Sequence, residues 1–323
     1  MPTTLRAVSI TLINLLLLAA CVGPAPAGFQ RPNGVAVAPG GDLRVMDFGN
    51  YRIAHISADG AFLDAFGSFG DKPEQIYFGW DIALDSAGNI YICNQVIIGS
   101  ELAQEGVKVF DPQGRLLREI GVIRYTYDDG LPRNSAYGLE VDGADRVYVA
   151  DYGTNQIRVF EAQGELLTTL FGEVGDGEGQ FNGLNDVAVD DERNLLYVVD
   201  NFNSRVQQFD LVSAGSDGVA VTHRKTFGTY GRKPGEFAYP QNVAVDDASG
   251  NVYIGDVANR RVQVFDSQGN YLAEFSRPDV RDWQVMGLAV SPDRAVYVAD
   301  ALNNSIWVFE PDGTLRRRIE ARP

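Results

Sequence analysis

The chain has 323 residues, a formal net charge of −16 at pH 7, 11% aromatic residues, two cysteines and two histidines. Such a charge repels nucleic acid and anionic lipid headgroups, and two histidines cannot furnish a zinc site built from three. At most one disulfide is possible, so a chain of this length must be held by its apolar core.

The first charge is Arg6, followed by the apolar run "AVSITLINLLLLAA" to Ala20, then Cys21 and the small-residue stretch "VGPAPAG". A basic start, a short apolar core and small residues before a cut describe an export signal, too short to span a bilayer as a stable helix. Leu18-Ala19-Ala20-Cys21 resembles the lipobox of bacterial lipoproteins. The expected division is a signal peptide over 1–20, a flexible tether over 21–28 with Cys21 acylated, and a single folded domain over 29–323. Cleavage after Ala27, giving a soluble secreted product, is the competing route. Either route takes the protein out of the cytoplasm, the lipid-anchored one to the cell envelope, and an acylated Cys21 leaves Cys93 as the remaining thiol.

Six short apolar segments then recur: "GVAV" at 34, "DIAL" at 81, "GLEV" at 138, "DVAV" at 186, "NVAV" at 242 and "GLAV" at 287. After each comes a Gly/Asp/Asn-rich turn and a second strand, among them "LRVMD", "VYVAD" and "VYIGD", closing on Asp47, Asn94, Asp151, Asp200, Asp256 and Asp300. The spacing averages about 51 residues, the length of a four-stranded propeller blade with some loop growth. Third and fourth strands repeat as "RVQVF" and "YLAEF" do in the fifth unit, with turns such as "SQG" and "PDG" between them. An all-β array with essentially no helix follows, and its radial closure predicts a six-bladed β-propeller.

The pattern from Gly235 to Phe275 resembles the NHL repeat family, and the pairs Asn50/Arg52, Asn203/Arg205 and Asn259/Arg261 fit its Asp-x-x-Asn-x-Arg element. Blade 2 departs most, with Asn94 for Asp and the insertion "QVIIGSELAQEG". Because related propellers include RNA binders, scaffolds and enzymes, the fold by itself assigns no activity. The peptidyl-hydroxyglycine lyases that share the fold depend on several histidines, and this chain has only His55 and His223.

The recurrent strand-ending Asp reads as structural, accepting backbone N–H groups at a tight turn. Better candidates stand where each inner strand begins. Three units keep glycine there (Gly34, Gly138, Gly287), while Asp81, Asp186 and Asn242 put oxygen-bearing side chains at a channel mouth. Converging oxygens of that kind suit a hard cation such as Ca²⁺; turn-to-strand chemistry explains them equally. Glu140 replaces an alanine found in the other five units, so its carboxyl must be paired, hydrated or protonated.

Aromatic residues gather in the loops between blades, and Trp80, Tyr137, Tyr239 and Trp283 are the candidates for contact with a ligand, beside Glu140. The expectation is a lipid-anchored or secreted module binding a protein, peptide or glycan on that face, touching the membrane only through its anchor and binding no nucleic acid. The alternative is a Ca²⁺-dependent lactonase-like hydrolase working at the channel mouth.

Overall fold

The computed structural model describes residues 28–98, 102–125, 136–213 and 218–320; Cys21 and most of the tether fall outside them. It is an all-β, six-bladed propeller, each blade an antiparallel four-stranded meander in sequence order. Blade 1 runs Pro32–Val37, Leu43–Asp47, Arg52–Ile56 and Phe62–Phe66, and blade 2 runs Phe78–Leu84, Ile90–Ile98, Leu102–Phe110 and Leu116–Tyr125. Ala136–Val141, Val147–Asp151, Gln156–Phe160 and Leu166–Phe171 form blade 3. Leu184–Asp190, Leu195–Asp200, Arg205–Ser213 and Val219–Phe227 form blade 4. The last two comprise Pro240–Asp246, Asn251–Asp256, Arg261–Phe265 and Tyr271–Phe275, then Val285–Val290, Val296–Asp300, Ser305–Phe309 and Leu315–Ile319.

The core lies in the seams between blades. Period-two alternation gives every middle strand two apolar faces, and each face packs on the next blade. Tyr148 and Ala150 of blade 3 thus meet Leu196 and Val198 of blade 4, and Val199 and Val206 of blade 4 meet Ile254 and Phe265 of blade 5. Phe29, Phe181 and Phe237 of the inter-blade turns are buried in these seams, as their recurrence in the sequence implies. The ring closes in the same way: Val45 and Ala54 of blade 1 pack with Ala299 and Val308 of blade 6. The Arg31 N–H donates to Asn304 Oδ1 across that seam at 2.8 Å. With all four strands of each blade contiguous in sequence, closure uses packing and no exchanged strand.

The strand-ending carboxylates are turn-binders. Asp256 accepts the Ala238 N–H at 2.7 Å, Asn259 Nδ2 at 2.8 Å and Arg261 Nε at 2.8 Å, and Asp47 repeats the set with Gln30, Asn50 and Arg52. Asn94 keeps the backbone half of the role, accepting from the Tyr77 N–H at 3.0 Å. The blade 2 insertion lengthens the hairpin of its second and third strands, which stay paired from Ile90↔Phe110 to Ile98↔Leu102. The two histidines are engaged in local contacts, His55 with Asp42 at 3.1 Å and His223 with Thr226 at 2.9 Å.

Candidate functional site: channel mouth and aromatic face

The six inner strands surround a channel. At its mouth the oxygen-bearing side chains reach sideways to the neighbouring blade. Asp81 accepts the N–H of its own neighbour Ile82 at 2.8 Å and of Leu139 in blade 3 at 2.9 Å. Asp186 does the same with Val187 at 2.8 Å and Val243 of blade 5 at 2.9 Å. Asn242 donates from Nδ2 to the Met286 carbonyl of blade 6 at 2.9 Å, and Asn33, which periodicity alone did not single out, donates to the Gly79 carbonyl at 3.0 Å.

The glycines at this level belong to the same device. A Cβ on Gly138 would lie 2.3 Å from Asp186 Oδ1, and one on Gly287 would lie 2.6 Å from the Asn33 carbonyl. Side chain and glycine therefore face each other across a seam, and the residue type at each blade follows from which partner reaches over.

This arrangement does not fit a Ca²⁺ cage, which needs six to eight oxygens turned to one point. Both carboxylate oxygens of Asp81 and of Asp186 already hold backbone N–H groups, and Asn242 Oδ1 lies beside Gly255. Among the described residues no group of three His, Cys, Asp or Glu side chains is placed to hold a metal ion.

The channel holds a cavity of about 360 Å³, bordered by Asp81, Glu140, Asp186, Asp191 and Asp247 among others. Burial pushes Glu140 well above the usual carboxylate range, and the charges of Asp186 and Asp81 push it further. Burial lifts Asp81 to about 6 against the two N–H bonds that favour its ionised form. Asp186 is raised by burial and by the charge of Asp81. Like charges confined together cannot all ionise, so the cluster holds protons that isolated carboxyls would release near pH 4.

On the mouth side, aromatic rings form a continuous arc over five blades. Phe48 lies 5.4 Å from Trp80, which stacks on Tyr137 with centroids 4.7 Å apart and planes 13° from parallel. Tyr152 follows at 5.0 Å, Phe202 at 6.1 Å and Tyr239 at 6.4 Å. Phe202 is 51% exposed and Tyr239 44%. Burial pushes the Tyr137 phenol up to about 12, so it remains a neutral hydrogen-bond donor, and the buried Trp80 Nε1 has no protein acceptor among the described residues.

Of the four aromatic residues singled out from sequence, Trp80, Tyr137 and Tyr239 join this arc. Trp283 does not: it is 1% exposed and packs edge-on to Phe309 inside the seam between blades 5 and 6. Phe48, Tyr152 and Phe202 were missed. Phe48 and Tyr152 directly follow the strand-ending Asp and Phe202 stands one residue later, on turns that period-two patterning does not orient.

Residues 134–216 match a family model described as a 6-bladed beta-propeller, and residues 237–265 match the NHL repeat. The chain is a six-bladed propeller carrying an NHL repeat. Mouse NHL repeat-containing protein 3 is 29% identical over 253 residues, covering 72% of this chain and 66% of that protein. Protein brain tumor of Drosophila melanogaster is 25% identical over 150 residues, 46% of this chain. The Xenopus laevis peptidyl-glycine alpha-amidating monooxygenase A is 22% identical over 240, 57% of this chain. The matches span only 13% and 25% of those last two proteins. Among solved structures, a gluconolactonase from Xanthomonas campestris superposes with a TM-score of 0.60 at 16% identity, covering 85% of this chain and 84% of that one. A streptogramin B lyase superposes at 0.55 and 12%, covering 91% and 84%. Identities this low establish the shared propeller alone.

Proposed function

We propose that this NHL-type propeller is an exported, lipid-anchored binding module that holds a protein, peptide or glycan against its aromatic face. The observation that carries the reading is the unbroken arc from Phe48 to Tyr239, in which neighbouring rings lie within 6.4 Å of each other. A contiguous, partly exposed apolar patch on a folded monomer marks a contact surface. Rigid aromatic side chains offer large contact area at small entropic cost, with phenol and indole groups to fix orientation.

The NHL likeness supports a repeat scaffold of this kind, and the export reading rests on the segment from Arg6 to Cys21. The hydrolase alternative draws on the acidic channel and on the fold shared with the gluconolactonase. It requires a metal where Asp81 and Asp186 instead hold the seams. The test is a panel of soluble oligosaccharides and a random-sequence peptide library, screened on the wild type and on a Trp80→Ala/Phe202→Ala/Tyr239→Ala variant. Ligands of the wild type should bind the variant at least about tenfold more weakly, the effect of losing about 1.4 kcal/mol. Unchanged affinity in the triple variant overturns the reading.

A further inference from the structure

The chain enters the propeller on the aromatic side. The Gly28 carbonyl accepts Asn50 Nδ2 and Arg52 Nη2, each at 3.0 Å, and the Arg31 guanidinium lies 5.6 Å above the Phe48 ring at one end of the arc. Six residues lie between Cys21 and Gly28, seven Cα steps with a reach of at most ~25 Å when fully extended. Carrying the anchor to the other face would use nearly all of that reach on the height of the propeller alone. The inner strand Leu184–Asp190 alone, with its seven residues, is ~23 Å long at 3.3 Å per residue.

The two faces also differ in charge. Turns at the far mouth present Asp145, Asp191, Glu192 and Asp247, whereas the loops around the arc interleave exposed Arg31, Arg232, Lys233, Arg260 and Arg281 with their acidic residues. An acidic face is repelled by a surface that holds anionic phospholipid, and Tyr and Trp rings with basic neighbours suit the headgroup region.

We propose that the aromatic face is the membrane-facing side of the molecule, and that its rings seat in the headgroup interface of the bilayer carrying the Cys21 anchor. This rests on the contact-surface reading and on acylation of Cys21, and it adds the anchoring bilayer to what that face contacts. The anchor and the rings then act as two membrane signals on one face.

The experiment uses the acylated mature chain in phosphatidylcholine vesicles with brominated acyl chains, read by tryptophan emission. Trp283 and Trp307 are buried, so the expected result is loss of the Trp80 share of emission. Trp80→Phe should remove the quenchable component while leaving vesicle attachment intact. Emission equal to that in unbrominated vesicles overturns the proposal, as does a membrane-fraction protein without an acyl group on Cys21. Absent quenching with intact oligosaccharide or peptide binding sinks the lipid proposal while the contact-surface reading survives.

Discussion

A Cβ placed on Gly138 would lie 2.3 Å from Asp186 Oδ1 and 2.7 Å from Asp186 Cα, so these two residues fix how closely blades 3 and 4 approach at the channel mouth. The obstacle includes backbone, which cannot swing aside. Gly138→Ala should therefore destabilise by about 3 kcal/mol, the upper range for overpacking a tight site, and lower the thermal midpoint by roughly 5 °C. Gly34→Ala meets the Ile82 methyl at 3.0 Å, where a rotamer can give, and should cost about 1 kcal/mol. Differential scanning calorimetry of the two variants checks the order; equal midpoints would mean the seam is compliant.

The channel carboxyls predict an unusual pH dependence. Asp81 is raised to about 6 and Glu140 is raised by burial and by neighbouring charge. The native state thus binds more protons than the unfolded chain above pH 4, and stability falls as pH climbs through the native values. Glu140→Gln removes one of the crowded acids. It should raise the thermal midpoint at pH 8 by a few degrees, on the order of 1 kcal/mol after allowance for channel water, and leave it nearly unchanged at pH 4. A variant less stable than the parent at pH 8 would show that ionised Glu140 is compensated in the fold.

How much of this was legible beforehand follows from which interactions are local. The blades, their strand-ending Asp residues and the Asn/Arg partners repeat at fixed offsets, so the sequence displays them directly. Asp81, Asp186 and Asn242 were also visible as departures from glycine. Their seam-spanning roles were not, because the backbone N–H groups that Asp81 and Asp186 accept and the carbonyl to which Asn242 donates lie 44 to 58 residues away in the next blade. Trp283 sits just before the inner strand of blade 6 and Trp80 near the start of that of blade 2, yet one is sealed in a seam and the other stays half-exposed in the arc. That choice depends on Phe309 in one case and Tyr137 in the other.

Seam-binding carboxylates should behave differently from metal ligands. Asp186→Ala leaves the Val187 and Val243 N–H groups without their acceptor, a loss of about 1–3 kcal/mol that is offset in part by removing a buried acid. The midpoint should fall by the same amount in Ca²⁺ and in chelator, and elemental analysis should find no stoichiometric metal. A Ca²⁺-dependent rise of several degrees, abolished by Asp81→Ala or Asp186→Ala, would restore the hydrolase reading.

Cys93 provides a probe of how the blades open. It is fully buried, its Sγ lies 3.7 Å from the Gly138 carbonyl, and burial raises its thiol well above the ordinary range. Only the thiolate attacks a disulfide reagent, so the native protein should be unreactive toward an aromatic disulfide at pH 8, with one thiol titrating per acylated chain in denaturant. Because Cys93 sits at the seam of blades 2 and 3, its slow labelling measures the opening of that seam. A rate matching global unfolding means the ring opens as one unit. A rate well above it would show that blade 2 separates from blade 3 on its own.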